Sequence, residues 1–134
     1  MNDVEALERR LRLYKYNQEK IDKWQAEIDG LYDQLGGYKS PPFDREPVHS
    51  PKNLEQEYEV RERIAILEER VKRLSNENAE LDQILAKVQT SLYEAVKQRY
   101  IDGVGLREME KMMNYSYSQI NRMLKMELMR IISR

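Results

Sequence analysis

Apolar residues recur every seven positions in the second half of the chain, in two interleaved sets. One set is Ile64, Val71, Asn78, Leu85 and Leu92, and the other is Leu67, Leu74, Leu81, Val88 and Ala95. Nine of these ten positions are apolar, and the positions between them are mainly charged or amide residues. Such a repeat, sustained over four heptads, predicts a long helix packed in a coiled coil. Because neither Gly nor Pro occurs between residues 52 and 102, the pattern allows one unbroken helix of about 50 residues.

A weaker repeat runs through the first 35 residues. Its apolar positions are Leu7, Tyr14, Ile21, Ile28 and Leu35, but the companion positions include Gln18 and Gln25. This wider and more polar stripe predicts a helix without predicting a strict coiled coil. Residues 36–53 then hold all four prolines and an adjacent pair of glycines, which predicts a loop. Two helices joined by such a loop could also pack as an antiparallel hairpin.

Asn78 is the one polar residue in the heptad positions. A buried Asn in a two-stranded coil pairs with its counterpart and fixes the register and the number of strands. This reasoning favours a parallel homodimer, and the residues that would form its contact are Leu67, Val71, Leu74, Asn78, Leu81 and Leu85. The alternative is equally open: Asn78 faces solvent, or it faces the first helix of a hairpin within one chain.

The composition limits the classes of protein to consider. Charged residues make up 35% of the chain, with one Trp and one Phe, so the material for a thick apolar core is scarce. Cysteine is absent, and the single histidine, His49, lies in the predicted loop. A metal site or a hydrolytic triad therefore has no residues to build on, and we expect neither an enzyme nor a bound cofactor or small-molecule substrate. No apolar run is long enough to cross a bilayer, so we expect a cytoplasmic protein.

The residues after the heptads have the spacing of a helix-turn-helix. Gly103 follows a helical pattern at the place where a left-handed C-terminal cap is expected. The segment LREMEKMM can form a second helix, after which Asn114 is a candidate for a positive φ angle. Ser116 or Ser118 can then cap a third helix that runs toward Ile132. Two short helices joined by a turn of this length are typical of DNA-binding modules.

The third helix has one apolar side and one polar side. At about 100° per residue, the apolar side takes Ile120, Met123, Leu124 and Ile131, and the polar side takes Ser118, Asn121, Arg122 and Lys125. These polar types read a major groove, because Arg pairs with guanine, Asn with adenine, and Ser and Tyr with phosphates or base edges. Residues 91–134 carry 8 Lys and Arg against 5 Asp and Glu, which favours a polyanionic partner. The alternative is that this is the polar face of an ordinary surface helix.

The segments QRYIDG and LREMEKMMNYSYSQINRMLKMEL carry a resemblance. They resemble the helix-turn-helix of sigma-factor region 4 and, more closely, the phage late-transcription regulators of the RinA/ArpU group. In that group a long helical region precedes the module. The resemblance implies a DNA-binding regulator of phage or prophage genes in the bacterial cytoplasm. It also implies that the recognition positions are Tyr117, Ser118, Asn121, Arg122 and Lys125. Glu110 and Glu127 stand where the group usually has alanine.

The sequence thus predicts an all-α protein with long N-terminal helices, as a coiled coil or a helical hairpin, followed by a C-terminal helix-turn-helix. The expected segments are an N-terminal helix over 1–35, the loop over 36–53, a coiled-coil helix over 54–90 and the module over 91–134. The leading functional hypothesis is a homodimeric regulator that binds double-stranded DNA.

Two other classes of protein stay open. One is an oligomeric packaging protein similar to a small terminase subunit, and the other is an interaction module that binds RNA polymerase or a repressor without touching DNA. Met126 and Met129 fall off the apolar side of the third helix, where exposed Met suits an adaptable contact with polymerase or a second protomer.

Overall fold

The structure is a computed structural model that describes residues 2–39 and 51–133. The regular elements formed by these residues are all helices, and there is no strand among them, which confirms the predicted all-α class. Within the same residues there are six α-helices and one π-helical segment, Lys97–Ile101, that continues α4. The helices are α1 (Asp3–Arg12), α2 (Tyr14–Lys39), α3 (Pro51–Ala86), α4 (Thr90–Val96), α5 (Leu106–Met112) and α6 (Tyr117–Ile132).

The chain divides into two compact units, and both α2 and α3 contribute to each of them. The first unit combines Met1–Gln18 with Asn76–Arg134, and the second is Glu19–Ser75. The first unit therefore joins the N-terminal helix α1 to the C-terminal helices. The sequence did not predict this grouping, because it assigned the C-terminal module to residues 91–134 alone.

The core of the first unit lies where α1, α4, α5 and α6 meet the adjoining parts of α2 and α3. Its fully buried members include Leu11, Leu81, Val96, Met109 and Leu128. Helix α1 packs directly against α6 and against the π-helical segment. The side of α6 that the helical wheel marked as apolar faces this core, with Ile120 and Leu124 almost wholly buried.

In the second unit α2 and α3 run in opposite directions. The guanidinium of Arg70 lies 5.7 Å from the centre of the Trp24 ring. Farther along α2, the Tyr32 hydroxyl donates a hydrogen bond to Glu68 at 3.1 Å. Later residues of α2 thus meet earlier residues of α3. The buried residues between the two helices are Ile28, Leu35, Ile64 and Leu67. The heptad positions of α3 therefore face a helix of the same chain here.

Asn78 also faces a helix of its own chain. Its Oδ1 accepts a hydrogen bond from Asn17 Nδ2 at 3.1 Å, and its Nδ2 donates to the backbone oxygen of Tyr14 at 3.1 Å. Both Asn side chains are buried and satisfied, so the hairpin alternative describes the surroundings of Asn78. Of the other residues predicted to form a dimer contact, Leu67, Leu81 and Leu85 are buried within the chain, whereas Val71 and Leu74 are half-buried. Pairing between chains stays a prediction.

The predicted unbroken helix over residues 52–102 is wrong. Helix α3 ends at Ala86, and α4 begins only at Thr90. The N–H groups of Lys87 and Val88 bond three residues back at 3.0 and 3.1 Å, after which Gln89 is extended, with φ −56° and ψ 140°. No Gly or Pro occurs at this break. Side chains of α6, 38 and 43 residues later in the chain, form hydrogen bonds with its backbone.

The predicted ends of the loop also need correction. Helix α2 continues to Lys39 and α3 begins at Pro51, so both ends of the predicted 36–53 loop are helical. Residues 40–50, including His49, lie outside the described residues. The single N-terminal helix predicted over 1–35 is interrupted at Leu13, where α1 ends and α2 starts.

Two predictions about turns have opposite outcomes. Gly103 has φ +75° after the π-helical segment, as its place in the sequence predicted. The positive φ expected at Asn114 is wrong, since Gly103 is the one residue with a positive φ in the described parts of the chain. Helix α5 ends instead with an extended residue, Met113, at φ −112° and ψ 149°.

Candidate nucleic-acid interface

The start of α6 is fixed by three side chains. Ser116 Oγ accepts a hydrogen bond from the backbone N–H of Gln119 at 3.3 Å, and Gln119 Oε1 accepts one from the backbone N–H of Ser116 at 3.1 Å. This reciprocal pair is a capping box and confirms Ser116 over Ser118 as the cap. Glu110 of α5 adds a third contact, because its Oε2 accepts from the backbone N–H of Tyr117 at 2.7 Å. The direction in which α6 leaves the turn is therefore set by local bonds.

One open groove of about 420 Å³ runs along the exposed side of α6. We call it the α6 groove. Its lining consists of Leu106, Tyr117, Ser118, Asn121, Arg122, Lys125, Met126 and Met129. All five residues that the sequence marked for DNA binding are in this set. Ser118 and Arg122 are exposed, and Asn121 and Lys125 are half-buried. The structure thus brings the five together on an accessible surface, while their binding of DNA stays a prediction.

Lys125 has a partner that the sequence did not indicate. Its Nζ lies 3.6 Å from Oε1 of Glu8, a buried residue of α1. The other oxygen of Glu8 accepts a hydrogen bond of 2.7 Å from the hydroxyl of Tyr100. Burial and then this bond raise the pKa of the Tyr100 hydroxyl above its ordinary value. Because a buried carboxylate needs compensation, Lys125 serves the fold as a counter-ion as well as lining the α6 groove.

Glu127 is turned into the molecule and does not face the α6 groove. It is only 4% exposed, its Oε2 accepts from the backbone N–H of Gln89 at 2.7 Å, and Arg130 donates to both of its oxygens at 2.7 and 2.8 Å. Arg130 also donates to the backbone oxygen of Lys87 at 2.9 Å. The bonds from Arg130, and then the one from Gln89, lower the pKa of the Glu127 carboxyl despite its burial. This pair holds the break between α3 and α4.

Helix α5 brings a further cation to the rim of the groove. The guanidinium of Arg107 lies 4.8 Å from the centre of the Tyr117 ring, a cation–π contact. Arg107 is therefore a third cation near the groove, after Arg122 and Lys125. The carboxylates of Glu8 and Glu110 lie close by and reduce the net positive charge. The sequence did not mark Arg107, because its contact with Tyr117 depends on how α5 packs against α6.

Among the described residues there is neither a candidate metal site nor a helix that could span a membrane. Over residues 2–39 and 51–133, no three acidic or histidine side chains gather closely enough to hold a metal ion. Within the same residues, none of the helices combines the length and the apolarity needed to cross a membrane.

Comparisons of the chain with models of protein families, with curated proteins and with solved structures found no match.

Proposed function

We propose that the protein is a sequence-specific regulator of transcription that binds double-stranded DNA through the α6 groove. In this proposal α5, residues 113–116 and α6 act as a helix-turn-helix, with α6 in the major groove. The observation that carries the proposal is the polar row along the exposed side of α6. Ser118, Asn121, Arg122 and Lys125 follow one another at spacings of three, one and three residues, which keeps them on one face. The resemblance to the RinA/ArpU group of phage regulators supports the same assignment.

Each groove residue has a role that follows from its chemistry. Arg122 is exposed and can pair with the O6 and N7 atoms of guanine, and Asn121 can pair with the N6 and N7 atoms of adenine. Tyr117 and Ser118, at the start of α6, are placed to contact phosphates or base edges. Lys125 contributes a positive charge that neutralises a phosphate.

A homodimer is the form we propose for the DNA-bound protein, since two modules match a symmetric operator. Leu67, Asn78 and Leu81 already pack within the chain, so they have little surface left to offer a second copy. The half-buried Val71 and Leu74 are the remaining heptad candidates for that contact. Measurement of the mass in solution tests this: a dimer agrees with a regulator, whereas a ring of eight or more subunits would favour a packaging protein.

The test of DNA binding starts from duplexes selected out of a random library by the wild-type protein. Fluorescence anisotropy then compares Arg122→Ala with a matched control, Arg73→Ala, which removes an exposed arginine of α3 outside the α6 groove. We expect Arg122→Ala to lose about 1–3 kcal/mol on the selected site and to relax the preference at one base pair. The control should bind as the wild type does. An Arg122→Ala variant with unchanged sequence preference would show that α6 is misassigned.

Lys125→Ala tests the contribution of phosphate contacts. We expect weaker binding to every duplex, with the slope of log K against log salt reduced by about 0.9. Because Lys125 is also the counter-ion of Glu8, circular dichroism must show that the variant is folded at the assay temperature. A variant that loses affinity with an unchanged salt slope would contradict the phosphate contact.

A protein-binding module that never contacts DNA is the second candidate. Its support is that Met126 and Met129 are exposed in the same groove and that the Glu110 carboxylate occupies the start of α6, where a phosphate would otherwise be favoured. RNA polymerase or a repressor would then be the partner. A shift assay at low salt separates the two candidates, because failure to bind even nonspecific duplex would favour the protein partner.

A further inference from the structure

The α6 groove has an apolar part that the polar contacts proposed above leave unused. Met126 is 64% exposed and Met129 is 56% exposed. Met126 follows Arg122 by four residues, so the two side chains are neighbours on one face of α6. No side chain in the described part of the chain buries either methionine. A surface that exposes apolar side chains beside two cations fits a partner that offers both an apolar group and negative charge.

A DNA major groove offers that combination. Its walls are phosphates, which suit Arg122 and Lys125, and the one apolar group among its base edges is the 5-methyl group of thymine. A purely apolar protein surface would offer no anion to the exposed Arg122 and none to Lys125 besides its own Glu8, and it is therefore the poorer match.

We propose, on the basis of the DNA-binding function above, that Met126 reads the 5-methyl group of a thymine in the operator. Met126 lies four residues after Arg122 on α6, which corresponds to a rise of about 6 Å along the helix. Base pairs along one strand are spaced by about 3.4 Å, so the thymine lies one to two steps from the base pair that Arg122 contacts. Met126 is therefore a specificity-determining residue for an A·T pair next to the site of Arg122.

Replacement of thymine by deoxyuridine tests this contact, because it removes the methyl group and leaves every hydrogen bond of the base in place. Each thymine of a library-selected duplex is replaced in turn, on both strands, and affinities are measured by anisotropy. We expect the affinity to fall about fourfold at one thymine, which corresponds to the lost burial of one methyl-sized group. Positions outside the contact should bind equally well with either base.

The variants assign the effect to a residue. Met126→Ala, and Met126→Gln with its similar length and polar end, should bind thymine and deoxyuridine equally at the sensitive position. Met112→Ala is the matched control, since Met112 is 59% exposed on α5 and lies outside the α6 groove. This control should keep the fourfold difference. Since Met126 is exposed, both substitutions should leave the circular dichroism spectrum unchanged.

Two results would overturn the contact. One is a duplex bound with the same affinity whichever thymine is replaced, and the other is a deoxyuridine effect that persists undiminished in both Met126 variants. Either result leaves DNA binding itself intact. A wild-type protein that binds no duplex at all would overturn the proposed function together with this inference, so the two failures are distinguishable.

Discussion

Tyr100→Phe should destabilise the first unit without changing its packing. The substitution removes one hydroxyl group from a ring that is almost fully buried in the core of the first unit. That hydroxyl donates a 2.7 Å hydrogen bond to Glu8, a residue 92 positions away in the chain. After the substitution, the partner that the described part of the chain still offers to the buried Glu8 carboxylate is Lys125, at 3.6 Å.

The cost follows from the charge on the acceptor. A hydrogen bond to an ionised group contributes about 1.5–3 kcal/mol, and removal of its donor leaves a buried carboxylate less well compensated. Lys125 cannot make up the difference, since its side chain is 43% exposed and its interaction with Glu8 is weakened by solvent. We therefore expect the free energy of unfolding to fall by about 2 kcal/mol.

Urea unfolding followed by circular dichroism measures this change. Tyr115→Phe is the matched control, because Tyr115 is exposed and should cost less than about 0.5 kcal/mol. A double-mutant cycle with Glu8→Gln isolates the pair, and we expect a coupling energy above about 1 kcal/mol. If Tyr100→Phe is as mild as the control, or if the two substitutions are additive, the bond does not contribute as the structure implies.

The burial of the Tyr100 hydroxyl and its bond to Glu8 together give a test by pH. The pKa of Tyr100 is raised above its ordinary value of 10.0, so the folded state holds this proton more tightly than the unfolded state does. The stabilisation is complete below pH 10 and is lost as the pH rises through the higher folded value. Wild-type stability should therefore decline more steeply above pH 10 than that of Tyr100→Phe, as urea unfolding at pH 9 and pH 11 would show. Parallel declines would contradict this.

Three further substitutions test single features of the first unit, each by urea unfolding. Glu127→Ala should lower the free energy of unfolding by about 1–3 kcal/mol at pH 7, since it leaves the backbone N–H of Gln89 without an acceptor. Because the pKa of the Glu127 carboxyl is lowered, the difference in stability between the variant and the wild type should shrink as the pH falls below the ordinary value of 4.5. A difference that is the same at pH 7 and pH 3 would contradict the ionic role. Gly103→Ala should cost about 1 kcal/mol, because φ is +75° while nothing crowds an added Cβ; a neutral result would mean that the backbone relaxes. Ser116→Ala should cost about 0.5–2 kcal/mol as a lost cap, and Ser118→Ala, its control, should not.

The local features of this protein could be predicted from its sequence. The position of Gly103 predicted the left-handed end of a helix, and Ser116 was one of the two residues predicted to cap α6. The helical wheel predicted that Ile120 and Leu124 would be buried and that Met126 would be exposed. These signals are local because a cap or an apolar face depends on residues within one or two turns.

The partners of those faces could not be predicted in the same way. A heptad pattern shows which side of a helix is apolar, but it does not show which helix covers that side. The sequence therefore left the pairing of Asn78 with a helix of its own chain as one of several alternatives. No Gly or Pro marks the break after Ala86 in the sequence. The break forms because the Glu127 carboxylate, which is distant in the chain, accepts a hydrogen bond from the backbone N–H of Gln89.

The sequence by itself determined that the chain is helical, that Ser116 or Ser118 caps α6, and which side of α6 carries Asn121 and Arg122. Only the tertiary structure decided that α1 packs against α6 and that Lys125 compensates the buried charge of Glu8. The physical reason is that caps and amphipathic faces arise from neighbouring residues. The partner of a buried charge, in contrast, is chosen by how distant helices pack.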